Sequence, residues 1–563
     1  MSATRRHAPL TLVEAILPIA TMVVLFGAGA AFMGASAELL IVVLLGSAAT
    51  AGFVAARHGC TWDDIQRSTG EKLASVLPVV LILLVIGALI AAWMLSGTIP
   101  YLVAWGIRLV RPAYLVPTAF LATAMMSLCT GTSWGSAGTI GVALMGTAVA
   151  LDAPIAATAG AVLSGAYFGD KVSPLSDSTN ICALAVDAPL YRHIRHLMYT
   201  SLPSFTLALV VYLLMALLAP VSARDLPASA HSLLADLEAV YSLHWIALVP
   251  PAVVIACMAR RVPPALAIAL SAIVAAVIGV AFQSFSVQDA VIATVSGFRT
   301  EMVASTGADP AALGAQFRTL VERGGLYGMG NTLIVIISAF VLAAAMDVSG
   351  SLNLLIERML AAVDSVFGLI AATMAAGATM IGLTSHGGVT ALVIGALFKS
   401  AYTDRGLSPV NLSRTIEDSV TITEPLMPWT VSAVFMASTL GVPTLEYAPW
   451  AVFCYGGPAC SLLIAALYRR TGFGIRPLAK DLATAAAVAP DLAGGAPESA
   501  PEGVPAGGAG GAPEGAGGRV PTGGTGGGSG APEGAPEGVP SGGAGGAPEG
   551  APGEVPAGGA GGA

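Results

Sequence analysis

Charge is the scarcest property of this chain. Only 10% of its 563 residues are Asp, Glu, Lys or Arg, and four of the 25 basic residues are lysine. Ordinary soluble domains carry about 25% charge, so a water-solvated globule is excluded. Cysteine offers no chemistry either: six stand singly at 60, 129, 182, 257, 454 and 460, with no CxxC or metal-ligand spacing. They read as small buried hydrophobes. A charge surplus is missing too. The net −8 comes from residues 491–563, which hold eight acidic residues and Arg519; the other 490 hold 25 acidic and 24 basic groups. Nothing there calls for nucleic acid or an acidic partner.

Apolar length is what remains. The chain is 55% hydrophobic, in repeated runs of about 20 residues, the length that crosses a bilayer. The reading is an all-α polytopic membrane protein with about 11–13 spans. Arg5 and Arg6 precede the first run, which places residues 1–9 in the cytoplasm and makes Leu10 to about Phe32 a retained first helix. The transmembrane body covers 10–482. Segment Arg57–Lys72 and segment Asp187–Tyr199, with Arg192, His193, Arg195 and His196, read as positive-inside loops. From 483 to the end the chain turns to Gly, Ala, Pro and Glu in APEG units, without periodicity; this predicts a disordered tail.

Polar residues interrupt the apolar pattern most sharply from Thr130 to Asn180. TGTSWGSAGTIGVALMG reads as a broken helix or hairpin tip at Gly131–Ser136, and Gly131-Gly135 also suits close helix packing. In SGAYFGDKVSPLSDSTN, Ser173-Pro174 interrupts a helix, and Asp170 and Asp177 flank the break. A carboxylate at membrane depth costs roughly 2.5–3.5 kcal/mol on insertion scales, and such groups mark ion or proton paths. The theme returns at GLTSHGGVTALVIGAL, where Thr384-Ser385-His386-Gly387 aligns with Thr132-Ser133-Trp134-Gly135, followed by NLSRTIEDSVTITEPLMPW. Two repeats, about 73–220 and 330–468, are expected, with broken segments meeting at a midplane site. On this alignment Asp418 is the counterpart of Asp170.

Two aspartates, hydroxyls and freed carbonyls are hard oxygen ligands that suit Na⁺, Li⁺ or H⁺. Burial and a second carboxylate both raise a carboxylate's pKa, so such a group can exchange a proton for a cation. Asp170 is the first titrating ligand and Asp177 the second. Neighbours on a helix point apart, which turns Lys171 toward Asp177 or the interface. Glu424 is either a further ligand or a structural acid. His386 is either a proton carrier or a hydrogen-bonded turn residue, and Ser419 stands beside Asp418. A membrane enzyme is not expected, because Gly131-Thr132-Ser133-Trp134-Gly135 has no paired His/Asp set.

GTSWGSAGTIGVALMG, SGAYFGDKVSPLSDSTN and LSRTIEDSVTITEPLMPW resemble signature segments of the NhaC-type Na⁺/H⁺ antiporter family. The resemblance implies inverted repeats with two hairpin-like elements and exchange of Na⁺ for H⁺. It puts Thr132 and Ser133 at the first tip; Asp170, Ser176, Asp177 and Asn180 at the cation site, with Na⁺ at Asp170 and Asp177; and Thr384, Ser385 and Asp418 in the second half. Some relatives couple Na⁺ or H⁺ to organic acids or amino acids, which is the alternative function. The implied setting is a bacterial inner membrane. The partners are lipid and small cations, with a homodimer as the candidate assembly. No cofactor is implied beyond the transported Na⁺ and H⁺.

Overall fold

The computed structural model describes residues 10–34, 36–219, 226–361 and 365–479. The expected cytoplasmic N-terminus and Gly-rich tail lie outside these residues. Backbone groups in lipid must be satisfied within the segment, and among the described residues helices do this almost alone; one isolated bridge joins Leu407 and Pro477.

The first half contains α1 (Leu12–Met33), α2 (Ala37–Arg57), α3 (Trp62–Ser75), α4 (Leu77–Leu95), α5 (Thr98–Leu109), α6 (Leu115–Thr130), α7 (Ser133–Ser136), α8 (Val142–Ala150), α9 (Ile155–Val172), α10 (Asp177–Leu184) and α11 (Leu190–Leu218). The second contains α12 (Ala228–Val240), α13 (Val249–Ala259), α14 (Pro264–Phe282), α15 (Val287–Ser296), α16 (Ala315–Val321), α17 (Gly330–Val348), α18 (Ser351–Ala361) and α19 (Val366–Thr384). It continues with α20 (Gly387–Thr403), α21 (Pro409–Ile416), α22 (Val431–Leu440), α23 (Thr444–Tyr447) and α24 (Val452–Thr471).

Nine helices among the described residues are long and apolar enough to cross a membrane, and a pair bent by 99° at α12 and Trp245–Ala259 makes ten. This is a multi-pass membrane protein. The sequence count of about 11–13 also included segments around the two breaks, which are shorter or more polar than the helices that qualify. Large apolar residues such as Val24, Leu218, Ile273 and Leu463 are exposed on the outside of these helices.

The helices come twice in the same order. Thr384 ends α19 254 positions after Thr130 ends α6; Pro409 opens α21 254 after Ile155 opens α9; Val431 opens α22 254 after Asp177 opens α10. Neighbours recur as well. α4 packs on α14 and α15, and α17 packs on α2 and α3.

Two expected loops are helical. Residues 62–75 form α3 because Thr61 and Asp64 cap each other, with Asp64 accepting from the Thr61 amide at 2.9 Å and hydroxyl at 2.7 Å. Segment Asp187–Tyr199 holds the first turns of α11, whose inward face buries His193 and His196. His193 Nδ1 meets Ser413 Oγ at 2.7 Å, and His196 Nε2 meets Asn411 Oδ1 at 3.1 Å.

Candidate cation site

The first break is made by Gly131. It closes α6 at φ 71°, a left-handed conformation that glycine adopts freely. A Cβ there would also lie 2.6 Å from Leu175 Cβ. Thr132 then caps α7, accepting from the Gly135 amide at 3.3 Å. The second break follows α9. Pro174 supplies no amide, so the helix stops at Val172, and Ser176 caps α10 by accepting from Thr179 N at 3.4 Å.

Glycine lets these breaks meet. A Cβ on Gly165 would lie 2.3 Å from the Phe120 carbonyl oxygen, and one on Gly169 would lie 2.4 Å from the Leu128 amide. α9 therefore runs against α6 backbone to backbone, with Ser127 Oγ donating to the Ala166 carbonyl at 2.5 Å. That crossing carries Asp170 to the first tip. Ser133 Oγ donates to Asp170 Oδ2 at 2.8 Å and Ser176 Oγ to Oδ1 at 2.6 Å, while the carboxylate faces the Ser133 amide. Asp170 is 8% exposed. Its neighbour Lys171 pairs instead with Asp418, and both side chains are fully buried. Lys171 thus faces neither Asp177 nor the interface: one residue further round α9, it points into the other half.

The second half repeats this construction, two residues out of the sequence alignment. Ser385, at φ 55°, stands where Gly131 stands, and His386 caps α20 as Thr132 caps α7. Thr130 Oγ1 meets Ser136 Oγ at 3.2 Å, as Thr384 Oγ1 meets Thr390 Oγ1 at 2.5 Å. Thr430 caps α22 as Ser176 caps α10. All these pairs are 254 positions apart. The same interval takes Asp170 to Glu424, not to Asp418. Glu424 faces the amide of Gly387, the equivalent of Ser133, and the amide of Ser432.

One cavity of about 520 Å³ joins the two halves. Thr132, Ser133, Asp170, Asp177, Asn180, His386 and Glu424 all line it, and among the described residues no lysine or arginine does. Asp177 opens α10 and is exposed. Asn180 anchors the break by donating to the Ser176 carbonyl at 2.6 Å. His386 Nδ1 accepts from the Val389 amide at 3.4 Å.

Other expected ligands lie away from the cavity lining. Asp418 is held by Lys171 and accepts from Thr200 Oγ1 at 3.3 Å. Ser419 Oγ donates to the Thr415 carbonyl at 2.7 Å. It also sits against Gly377, whose Cβ would lie 2.6 Å from that oxygen, so it serves the crossing of α19 with the segment after α21. Thr384 is taken up by Thr390, and Ser385 Oγ is buried without a partner. A larger cavity of about 840 Å³ lies beside the start of α11, lined by Arg192, Arg195 and Arg476 and, among the described residues, by no acid.

Sequence reasoning passed over Glu417. It is fully buried in a π-helical turn, Glu417–Thr421, where Thr421 Oγ1 donates to it, as does Cys182 Sγ at 3.3 Å. Its spacing to Thr421 was a readable signal, because residues four apart share a helical face. Tyr167, which bonds Ser432 across the halves and lines the cavity, left no such signal.

Residues 165–468 match the family model described as "Na+/H+ antiporter family". An uncharacterized Na⁺/H⁺ antiporter of Haemophilus influenzae is 42% identical over 480 residues, 85% of this chain and 100% of that protein. The Na⁺/H⁺ antiporter NhaC of Bacillus subtilis is 32% identical over 428 residues, 76% of this chain and 91% of that protein. The malate-2H⁺/Na⁺-lactate antiporter of the same organism is 29% identical over 422 residues, 74% of this chain and 86% of that protein.

Proposed function

The chain belongs to the Na⁺/H⁺ antiporter family, in its NhaC-type branch, and from that premise we propose that it exchanges Na⁺ for H⁺ by competition at Asp170. One observation carries the reading: Asp170 is a cavity-facing, nearly buried carboxylate whose side-chain partners are hydroxyls, while the adjacent lysine is committed to Asp418. A carboxylate held away from water needs a cation beside it or a proton on it. Ser133, Ser176 and the helix-end amide fix its oxygens, and Asp177 and Asn180 complete an oxygen-rich wall suited to Na⁺ or Li⁺. Exposing this cavity to each membrane face in turn then exchanges one ion for the other without a further energy source. Repeats of inverted orientation would supply the two equivalent states.

A second reading, coupled transport of an organic acid or amino acid, has two supports. The cavity of about 520 Å³ exceeds the needs of one bare ion, and a relative is named for malate and lactate exchange. Against it, no lysine or arginine among the described residues lines the cavity to meet a carboxylate.

The test is a Na⁺ pulse given to proteoliposomes holding an imposed pH gradient. The expected result is collapse of the gradient with the wild type and none with Asp170→Asn. Parallel pulses of Li⁺, K⁺, malate and lactate separate the two readings. A gradient that yields only to organic acids favours the second, and an active Asp170→Asn protein removes Asp170 from its role.

A further inference from the structure

We propose that Glu424 is a second cation- and proton-exchanging carboxylate in the same cavity, the counterpart of Asp170 in the other half. The proposal rests on the exchange reading given above and extends it from one carboxylate to two. Three observations carry it. First, the 254-residue interval that equates helix ends, caps and hydroxyl pairs also equates Asp170 with Glu424, and Ser133 with Gly387. Second, Glu424 is 9% exposed and lines the cavity, and no lysine, arginine or histidine among the described residues forms an ion pair with it. Its surroundings are the amides of Gly387 and Ser432, and the other titratable groups of the cavity are His386, Tyr167, Asp170, Asp177 and Cys182. Third, Gly387 is shaped around it: a methyl group there would come within 2.8 Å of Glu424 Oε2.

Asp418, the acid that sequence spacing favoured for this place, has its charge met by Lys171. Glu424 has no such partner. A buried carboxylate in that position takes up a proton or a small cation. Two such groups lining one cavity give two binding sites for the same substrate class, and turnover across the membrane requires both.

The experiment follows protons rather than transport. Purified full-length protein in detergent receives NaCl in a weakly buffered solution containing a pH-indicator dye, with choline chloride as control. Cation binding at a protonated carboxylate releases its proton. Wild type is expected to release protons, Asp170→Asn and Glu424→Gln each to release roughly half as many, and the double variant none. Gly387→Ala should mimic Glu424→Gln with the glutamate still present, which covers the case in which Glu424→Gln does not fold. Full release from both Glu424→Gln and Gly387→Ala, with none from Asp170→Asn, overturns the proposal and leaves the single-site reading standing. Absence of release from the wild type overturns both.

Discussion

Asp170 and Lys171 are adjacent and do opposite things. Asp170 faces the cavity with its oxygens fixed by two hydroxyls, and Lys171 crosses to the other half and is neutralised there by Asp418. Removing the Ser176 hydroxyl should therefore weaken cation binding, beside a cost of about 0.5–2 kcal/mol in stability for the lost α10 cap. A hydrogen bond to a charged group contributes about 1.5–3 kcal/mol, so Ser176→Ala should raise the Na⁺ concentration for half-maximal exchange by roughly ten- to a hundredfold. The lysine pair should behave in the other way. Lys171→Met strands a buried carboxylate, whose Oδ2 already lacks a partner, and should destabilise the protein by about 3–5 kcal/mol. Thermal unfolding in detergent reads this, and Lys171→Met with Asp418→Leu should unfold later than either single variant. Equal unfolding temperatures for all three would contradict the pairing. Asp170, Ser133 and the Pro174 break stand out in the sequence as polar or helix-breaking residues in apolar surroundings, whereas Ser176 is pointed to only by the family resemblance. The pairing of Lys171 is not legible there, since it depends on which strip of α9 meets the other half.

At the scale of elements, the breaks depend on close backbone contact. Gly169→Ala places a methyl 2.4 Å from the Leu128 amide. It should push α9 off α6, cost about 1–3 kcal/mol, and withdraw Asp170 from Ser133, which would abolish exchange. The two tips should respond unequally. Gly131→Ala adds a side chain to a left-handed residue and should cost about 1–2 kcal/mol, beyond its collision with Leu175. Ser385→Gly at the equivalent place relieves the same strain and should raise the unfolding temperature. Helix existence is readable from apolar run length, but the charge of α3 and of the start of α11 points to loops, and capping at Thr61 and burial of His193 and His196 override it. The repeat was readable as a theme, yet its register slipped by two residues. TSWG and TSHG match as letters, while the backbone matches Gly131 to Ser385 and Thr132 to His386.

Across the whole molecule, the 254-residue interval ties two sets of helices into one cavity. If the halves are inverted, equivalent positions lie on opposite faces of the membrane. Arg111 and Ser365 are such a pair, each just ahead of equivalent helices, at the turn leading into α6 and at the cap of α19. Single cysteines placed there in a cysteine-free background should differ in labelling by an impermeant thiol reagent from outside the cell. Labelling from the same face would make the repeats parallel.

Competition at a shared carboxylate is the central claim, and Na⁺ binding to the purified protein as a function of pH tests it most directly. If protons and Na⁺ share the site, lowering the pH should raise the apparent Kd by up to about tenfold per pH unit for each competing proton, with the number of sites unchanged. A Kd indifferent to pH, or a loss of sites at constant Kd, would contradict the account.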